Sequence, residues 1–340
     1  MSLILEAGPP LEPTDRAIGH VSTLLTDPAR ADRLLGLECW YPATGTAPTR
    51  AVYEVLPGVG FTAAAHESAP AAPGPHPLVV FSHGRSGART SYVLLCEGLA
   101  ARGYVVVAPD HPGDTLVDWM LGNAVDDATN ETQRVADVRF VIDALLADTS
   151  LLPPLPHVDT TRIAVAGHSY GGYTALAFAA AHPADSRIRA AAGLQPFTRS
   201  LARKVIAQIA VPTLLVGGAQ DETCPPAIDT DRAWDVLAAR DARRVDVLAA
   251  GHQACSDVGL YLDLRDQVDG LPDIVGEFLA SMAAQITGTA GDPWRPTVGL
   301  HLGLLGGWFD EVLAVDPTRA TQDLDRARAT PGVTIAGTRS

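Results

Sequence analysis

Four short runs of consecutive apolar residues stand out along the chain: PLVVFS at 77–82, YVVVAPD at 104–110, RIAVAGHS at 162–169 and PTLLVGG at 212–218. They are apolar at successive positions and bounded by glycine, proline or polar residues. They therefore read as central strands of a parallel sheet, dry on both faces. Between them lie segments with apolar residues at helical spacing, TSYVLLCEGLAARG at 90–103, NETQRVADVRFVIDALLAD at 130–148 and YTALAFAAAHP at 173–183. Strand and helix alternate, which predicts a doubly wound, mostly parallel α/β sheet. Upstream, residues 16–43 alternate apolar and polar around TDPARAD and predict an antiparallel hairpin with one wet face. FTAAAHESAPAAPGPHP at 61–77 reads as a surface loop. A helix at about 229–240 is followed by RRVDVLA at 243–249, expected to be the last strand. An amphipathic helix at 272–287 and a second helical candidate at 298–314, despite its glycines, then follow, one to close the sheet and one free to be a lid.

With 340 residues, 47% of them apolar, the chain has the length and composition of one large domain over 1–340. No stretch reaches eighteen apolar residues, and MSLILEAGPP lacks both a basic region and an apolar core of useful length. The expectation is a cytoplasmic protein with no export signal and no integral membrane segment. A net charge of −14 with no Lys/Arg-rich run excludes the electrostatic footprint of a nucleic-acid binder. Cys39, Cys96, Cys224 and Cys255 show neither CxxC nor zinc spacing, so no metal is implied.

The candidate chemistry centres on AVAGHSYGGYTAL at 164–176, where Gly167, Ser169 and Gly171 form Gly-x-Ser-x-Gly. Alone, the pentapeptide is weak evidence, and Ser169 could be a small turn residue. Placed between an apolar strand and a helix, it becomes a tight turn that projects a serine from the sheet's C-terminal edge, at the positive end of a helix. A serine hydroxyl is a poor nucleophile and needs a base, which in turn needs an orienting carboxylate. AQDETCPP follows the strand PTLLVGG and supplies Asp221, with Glu222 and Asp257 as alternatives. AGHQACSD follows the next strand and supplies His252. His83, His111 and His168 are read as structural, the first and last bracing the loops by hydrogen bonds. The oxyanion donors are expected to be the backbone N–H groups of Tyr170 and, from HGRSGAR, Arg85.

FSHGRSGART, GHSYGG, GGAQDETCP and GHQACSD, in this order, resemble the α/β-hydrolase fold. More narrowly they resemble the branch of platelet-activating factor acetylhydrolases, bacterial polyester and cutinase-like hydrolases, and predicted dienelactone hydrolases. LECWYPA and HPGDT resemble this branch too, and the likeness spans roughly 35–320. Dienelactone hydrolases proper use a cysteine nucleophile, so Ser169 departs from them. SYGGY also resembles prolyl oligopeptidases, for whose propeller domain the chain has no room.

The function expected is a serine carboxylic-ester hydrolase acting on a small-molecule ester of short-to-medium acyl length, lipid or polyester included, through an acyl-enzyme and without a cofactor. A peptidase, amidase, thioesterase or cyclase using the same residues is the alternative, and a non-catalytic binding module the reading from another class. Phe197, Trp119 and Met120 are expected to line the substrate pocket, with Tyr170 a further candidate. The segment 257–296 is expected to form a lid. Cys224 and Cys255 each lie three residues beyond a proposed triad member, and stand either as a disulfide or as free thiols.

Overall fold

Both faces of strand β6 (His76–Ser82) are dry: Val79 and Phe81 join the core on one side of the sheet, Leu78 and Val80 the core on the other. That is the physical content of an uninterrupted apolar run. The computed structural model describes residues 3–12, 16–56, 58–147, 157–182, 185–267, 273–283, 285–287 and 293–339. Among these, strands β6, β7 (Val105–Pro109), β8 (Val158–His168), β9 (Ile188–Leu194), β10 (Thr213–Gly218) and β11 (Ala242–Val247) pair in parallel in the spatial order β7-β6-β8-β9-β10-β11. Helices α1 (Val93–Ala101) and α9 (Trp294–Val312) cover one face, and α3 (Asp127–Ala147), α4 (Tyr170–Ala181), the short α5 (Arg203–Ile206) and α6 (Thr230–Val236) the other. The chain is an α/β-hydrolase fold.

Strand order reverses at β6, whose neighbours are β7 on one side and β8 on the other. The loops leaving the carboxyl ends of β6 and β8 therefore open a crevice at the switch point, where α/β sheets bind ligands. The predicted hairpin is present as β2 (Ala17–Asp27) and β3 (Arg33–Ala43), paired antiparallel from Ala17 opposite Ala43 to Asp27 opposite Arg33, and β3 docks antiparallel on β7.

Two expectations fail. Much of the segment read as a loop at 61–77 is strand: β5 spans Val59–Glu67 and pairs with β1 (Leu3–Glu6), β2 and β4 (Arg50–Leu56). Its alanines hide the strand pattern because the aromatic rings beside them fill the volume, with Phe61 against Tyr53 at 5.3 Å between ring centroids. The Ala64 and Ala65 N–H groups leave the ladder and donate to the buried Glu97 carboxylate at 2.7 and 3.0 Å. Nor is β11 the last strand. After α10 (Pro317–Ala329), β12 (Val333–Arg339) pairs antiparallel with β11 and forms the sheet's edge. Gly337 interrupts its pattern because the Trp234 ring lies where a side chain would stand, its Cζ2 2.4 Å from an added Cβ.

Arg102, at the end of α1, is buried and holds the C-terminal helices in place. Its guanidinium reaches Asp323 at 2.6 Å and Asp310 at 3.3 Å, and Glu12 at 2.7 Å. A second buried cluster lies between the hairpin and the crevice. The two ring nitrogens of His20 meet Glu38 at 2.6 Å and Glu67 at 2.9 Å, and Glu38 accepts from Arg89 Nε at 2.8 Å. Arg89, in the loop after β6, also pairs with Asp110.

Burial alone would lower the His20 pKa, but the hydrogen bonds and charges of Glu38 and Glu67 outweigh it and raise it from 6.5 to about 9. That rise corresponds to roughly 3 kcal/mol of native stability. Because the folded value is raised, the contribution is complete below pH 6.5 and is lost as the pH climbs through about 9. His20→Gln is therefore expected to lower the urea-unfolding free energy by about 2–3 kcal/mol at pH 6, with the gap to wild type narrowing by pH 10. A gap that stays constant over this range contradicts the assignment.

Candidate active site

Ser169 sits between β8 and α4 with φ 55° and ψ −118°, a strained backbone for a residue with a side chain. The turn closes only because its neighbours are glycines. A Cβ on Gly171 would lie 1.9 Å from the Ser82 carbonyl oxygen, and one on Gly167 2.4 Å from the Gly171 carbonyl carbon. The Ser169 N–H donates to the Leu194 carbonyl at 3.0 Å, and its own carbonyl accepts from Tyr173 and Phe197. The hydroxyl is thereby aimed into the crevice.

There it meets the imidazole of His252, with Ser169 Oγ 2.9 Å from His252 Nε2. His252 Nδ1 lies 2.8 Å from Asp221 Oδ2. The second carboxylate oxygen, Oδ1, accepts from the Thr223 and Cys224 N–H groups at 2.9 and 2.7 Å, so the Asp221 side chain is pinned at both ends. All three side chains are buried. Glu222 is exposed, and the Asp257 carboxyl turns instead to the start of α1, accepting from the Leu94 N–H at 3.3 Å. The two alternatives to Asp221 are thus elsewhere.

The loop after β6 stands against Ser169. A Cβ added to Gly84 would lie 3.4 Å from Ser169 Cβ. Arg134 of α3 is fully buried beneath this loop and donates to the His83 and Gly84 carbonyls at 2.8 and 3.1 Å. Since a trans peptide directs its C=O and N–H to opposite sides, holding the Gly84 carbonyl turns the Arg85 N–H the other way. Among the described residues, neither the Arg85 nor the Tyr170 backbone N–H donates to a group of the chain. The Arg85 side chain lies over the Tyr170 ring and reaches Asp127 at 2.6 Å.

His83 and His111 do brace the loop. His83 Nδ1 donates to the Gly84 carbonyl at 2.7 Å and its Nε2 accepts from the His111 N–H at 3.2 Å. His111 lies between Ser82 Oγ and Asp137 Oδ2 at 2.8 and 3.0 Å. Burial and the neighbouring Arg134 guanidinium lower the pKa of His83 to about 3 and of His111 to about 4. Both are neutral at pH 7.

A cavity of about 340 Å³ opens on Ser169 and His252. Trp119 and Met120, on the short helix α2 (Leu116–Leu121), stand on its wall as expected, both partly exposed. Phe197 does not. β9 ends at Leu194, and the chain bends there so that the Phe197 ring stacks on Tyr170, with ring centroids 5.1 Å apart, and is not among the residues that line the cavity. The Tyr170 ring is held in the same stack, between Arg85 and Phe197, and is likewise off the wall. Tyr92, Tyr261, Leu279 and Met282 also line the cavity, the last three from the segment expected to form a lid. No local motif singles out the individual residues, because the amphipathic pattern marks a face of a helix and not which of its side chains reach the cavity.

Within the segment expected to be a lid, α7 (Val258–Arg265), α8 (Asp273–Ala283) and residues 285–287 are described, while 268–272, 284 and 288–292 lie outside the described residues. Cys224 and Cys255 are buried free thiols rather than a disulfide. Asp221, Cys224 and His252 are close enough to hold a metal ion, but His252 and Asp221 are already bonded to each other.

A family model described as Chlorophyllase matches residues 65–204, and one described as Platelet-activating factor acetylhydrolase, isoform II, matches residues 148–263. The probable 1-alkyl-2-acetylglycerophosphocholine esterase of Arthroderma benhamiae is 29% identical over 29% of this chain and 27% of its own length. Cutinase est1 of Thermobifida alba is 30% identical over 43% of each chain. The chain thus spans less than half the length of these curated relatives. A solved structure of ferulic acid esterase from Streptomyces cinnamoneus superposes with a TM-score of 0.75 over 99% of this chain and 100% of that one, at 28% identity. Strand order, the turn at Ser169 and these likenesses together show an α/β-hydrolase fold, similar to the chlorophyllase and platelet-activating factor acetylhydrolase families, to cutinases and to a ferulic acid esterase.

Proposed function

We propose that this protein is a serine carboxylic-ester hydrolase. The observation that carries the reading is the unbroken line from Asp221 Oδ2 through His252 to Ser169 Oγ, at 2.8 and 2.9 Å, on the floor of a cavity of about 340 Å³. In this reading Ser169 Oγ attacks the acyl carbon while His252 Nε2 takes its proton, and Asp221 orients the imidazole and stabilises its charge. The Arg85 and Tyr170 N–H groups receive the developing oxyanion, a contribution of about 3 to 4 kcal/mol per donor. His252 then gives the proton to the leaving alcohol. Water attacks the acyl-enzyme by the same route in reverse, releasing the acid and restoring Ser169. Every step uses groups of the chain and no cofactor.

The substrate in this reading is a small ester of short-to-medium acyl length, seated against Leu116, Trp119, Met120, Leu279 and Met282. The esterase, cutinase and ferulic acid esterase likenesses support an ester over an amide. We read 257–296 as a cap, with Val258 and Tyr261 of α7 and Leu279 and Met282 of α8 lining the cavity that α2 also lines. Four buried free thiols support a cytoplasmic location.

Stoichiometric labelling of wild type by a fluorophosphonate at Ser169, mapped by peptide mass spectrometry and absent from Ser169→Ala, is the expected result. An unlabelled but folded wild type would move the binding-module reading forward. Asp221→Asn is expected to lower kcat by about three to four orders of magnitude with KM little changed, measured on an activated ester. On matched butyryl ester, thioester and anilide, turnover should favour the ester; faster turnover of the anilide would make the protein an amidase or peptidase. Leu279→Ala should raise KM for an octanoyl ester about tenfold while leaving an acetyl ester nearly unaffected.

A further inference from the structure

The imidazole of His168, next to the nucleophile in sequence, is fully buried and makes two short contacts. Its Nε2 lies 2.6 Å from the backbone carbonyl of His252, and its Nδ1 lies 2.6 Å from Tyr92 Oη. Tyr92 Oη in turn accepts from the Gly84 N–H at 3.3 Å.

The protons of this chain have one consistent arrangement. A carbonyl only accepts, so His168 Nε2 carries the proton. Burial, with His252 beside it, lowers the His168 pKa well below the usual imidazole value, so the ring is neutral and Nδ1 is an acceptor. The Tyr92 hydroxyl then donates its single proton to Nδ1, which leaves its oxygen free to accept from Gly84. The result is one directed chain, Gly84 N–H to Tyr92, Tyr92 O–H to His168, His168 N–H to the His252 carbonyl. It joins the loop that holds the proposed oxyanion donor to the residue proposed as the base.

We infer that His168 and Tyr92 are positioning residues for ester hydrolysis: they hold the Gly84–Arg85 loop and the His252 backbone in one geometry about Ser169, so that attack, proton transfer and oxyanion stabilisation occur together. The inference rests on the ester-hydrolase reading above. It assigns to two side chains a role in the chemical step, and neither is required to exchange a proton with substrate. A third contact fits the role, since the His168 and His252 rings lie 4.7 Å apart between centroids and pack on each other.

The test compares wild type, Tyr92→Phe, His168→Leu and the double variant on p-nitrophenyl butyrate, together with the rate of fluorophosphonate labelling at Ser169. Tyr92→Phe removes one buried oxygen and keeps the ring, so it is the variant least able to disturb folding. Each single variant is expected to lower kcat and the labelling rate by about ten- to a hundredfold, with KM within about threefold. The double variant is expected to match His168→Leu, because without the imidazole the hydroxyl has no acceptor to position. Tyr92→Phe with kcat within about twofold of wild type overturns the inference, and so does a double variant whose losses multiply. A wild type that neither turns over the ester nor labels at Ser169 would instead defeat the hydrolase reading itself.

Discussion

The backbone at Ser169 is the constraint on which the site depends. Its φ of 55° places the hydroxyl above the sheet edge, and it persists only because β6, β8 and α4 meet there at van der Waals distance. A single added carbon on Gly171 would lie 1.9 Å from the Ser82 carbonyl oxygen, far closer than two non-bonded atoms can approach. The strain is thus held by two central strands whose carboxyl-terminal residues are buried. Central parallel strands dry on both faces supply the packing that a lone turn lacks.

Around that turn, the fold and the site share the same charged groups. Arg134, at the buried face of α3, is neutralised by Asp114 at 2.8 Å and spends its remaining donors on the carbonyls of the loop after β6. A buried arginine with partners on both counts avoids the penalty of an isolated charge. On the outer side, His20, Glu38, Arg89 and Asp110 tie the same loop to the entry hairpin. The loop facing Ser169 is therefore fixed from below and from the side.

The loop carrying His252 is fixed in a comparable way. The N–H groups on either side of it, at Gly251 and Gln253, donate to the carbonyls of Ile286 and Gln285 at 3.2 and 2.6 Å. Those residues follow α8, so the segment that walls the cavity also braces the histidine. Ser169, His252 and the cavity wall form one packed unit.

Much of this was legible in the sequence wherever neighbours along the chain constrain one another. The apolar runs marked the central strands, because a strand buried on both faces tolerates few polar residues. The glycines around Ser169 marked the turn, because only they fit it. Asp221 and His252 followed from their places after successive strands. β5 escaped because alanines beside Phe61 and Tyr53 carry no strand signature, and β12 because it follows two helices at the sheet's edge. What the chain's own sequence determined was thus the sheet, the tight turn at Ser169 and the residues at strand ends. Only the tertiary structure decided that Phe197 stacks on Tyr170, that Leu279 and Met282 line the same cavity as Trp119, and that Tyr92 reaches His168 across 76 positions of sequence. Periodicity says which face of an element is apolar; which distant element that face meets is set by packing over the whole domain.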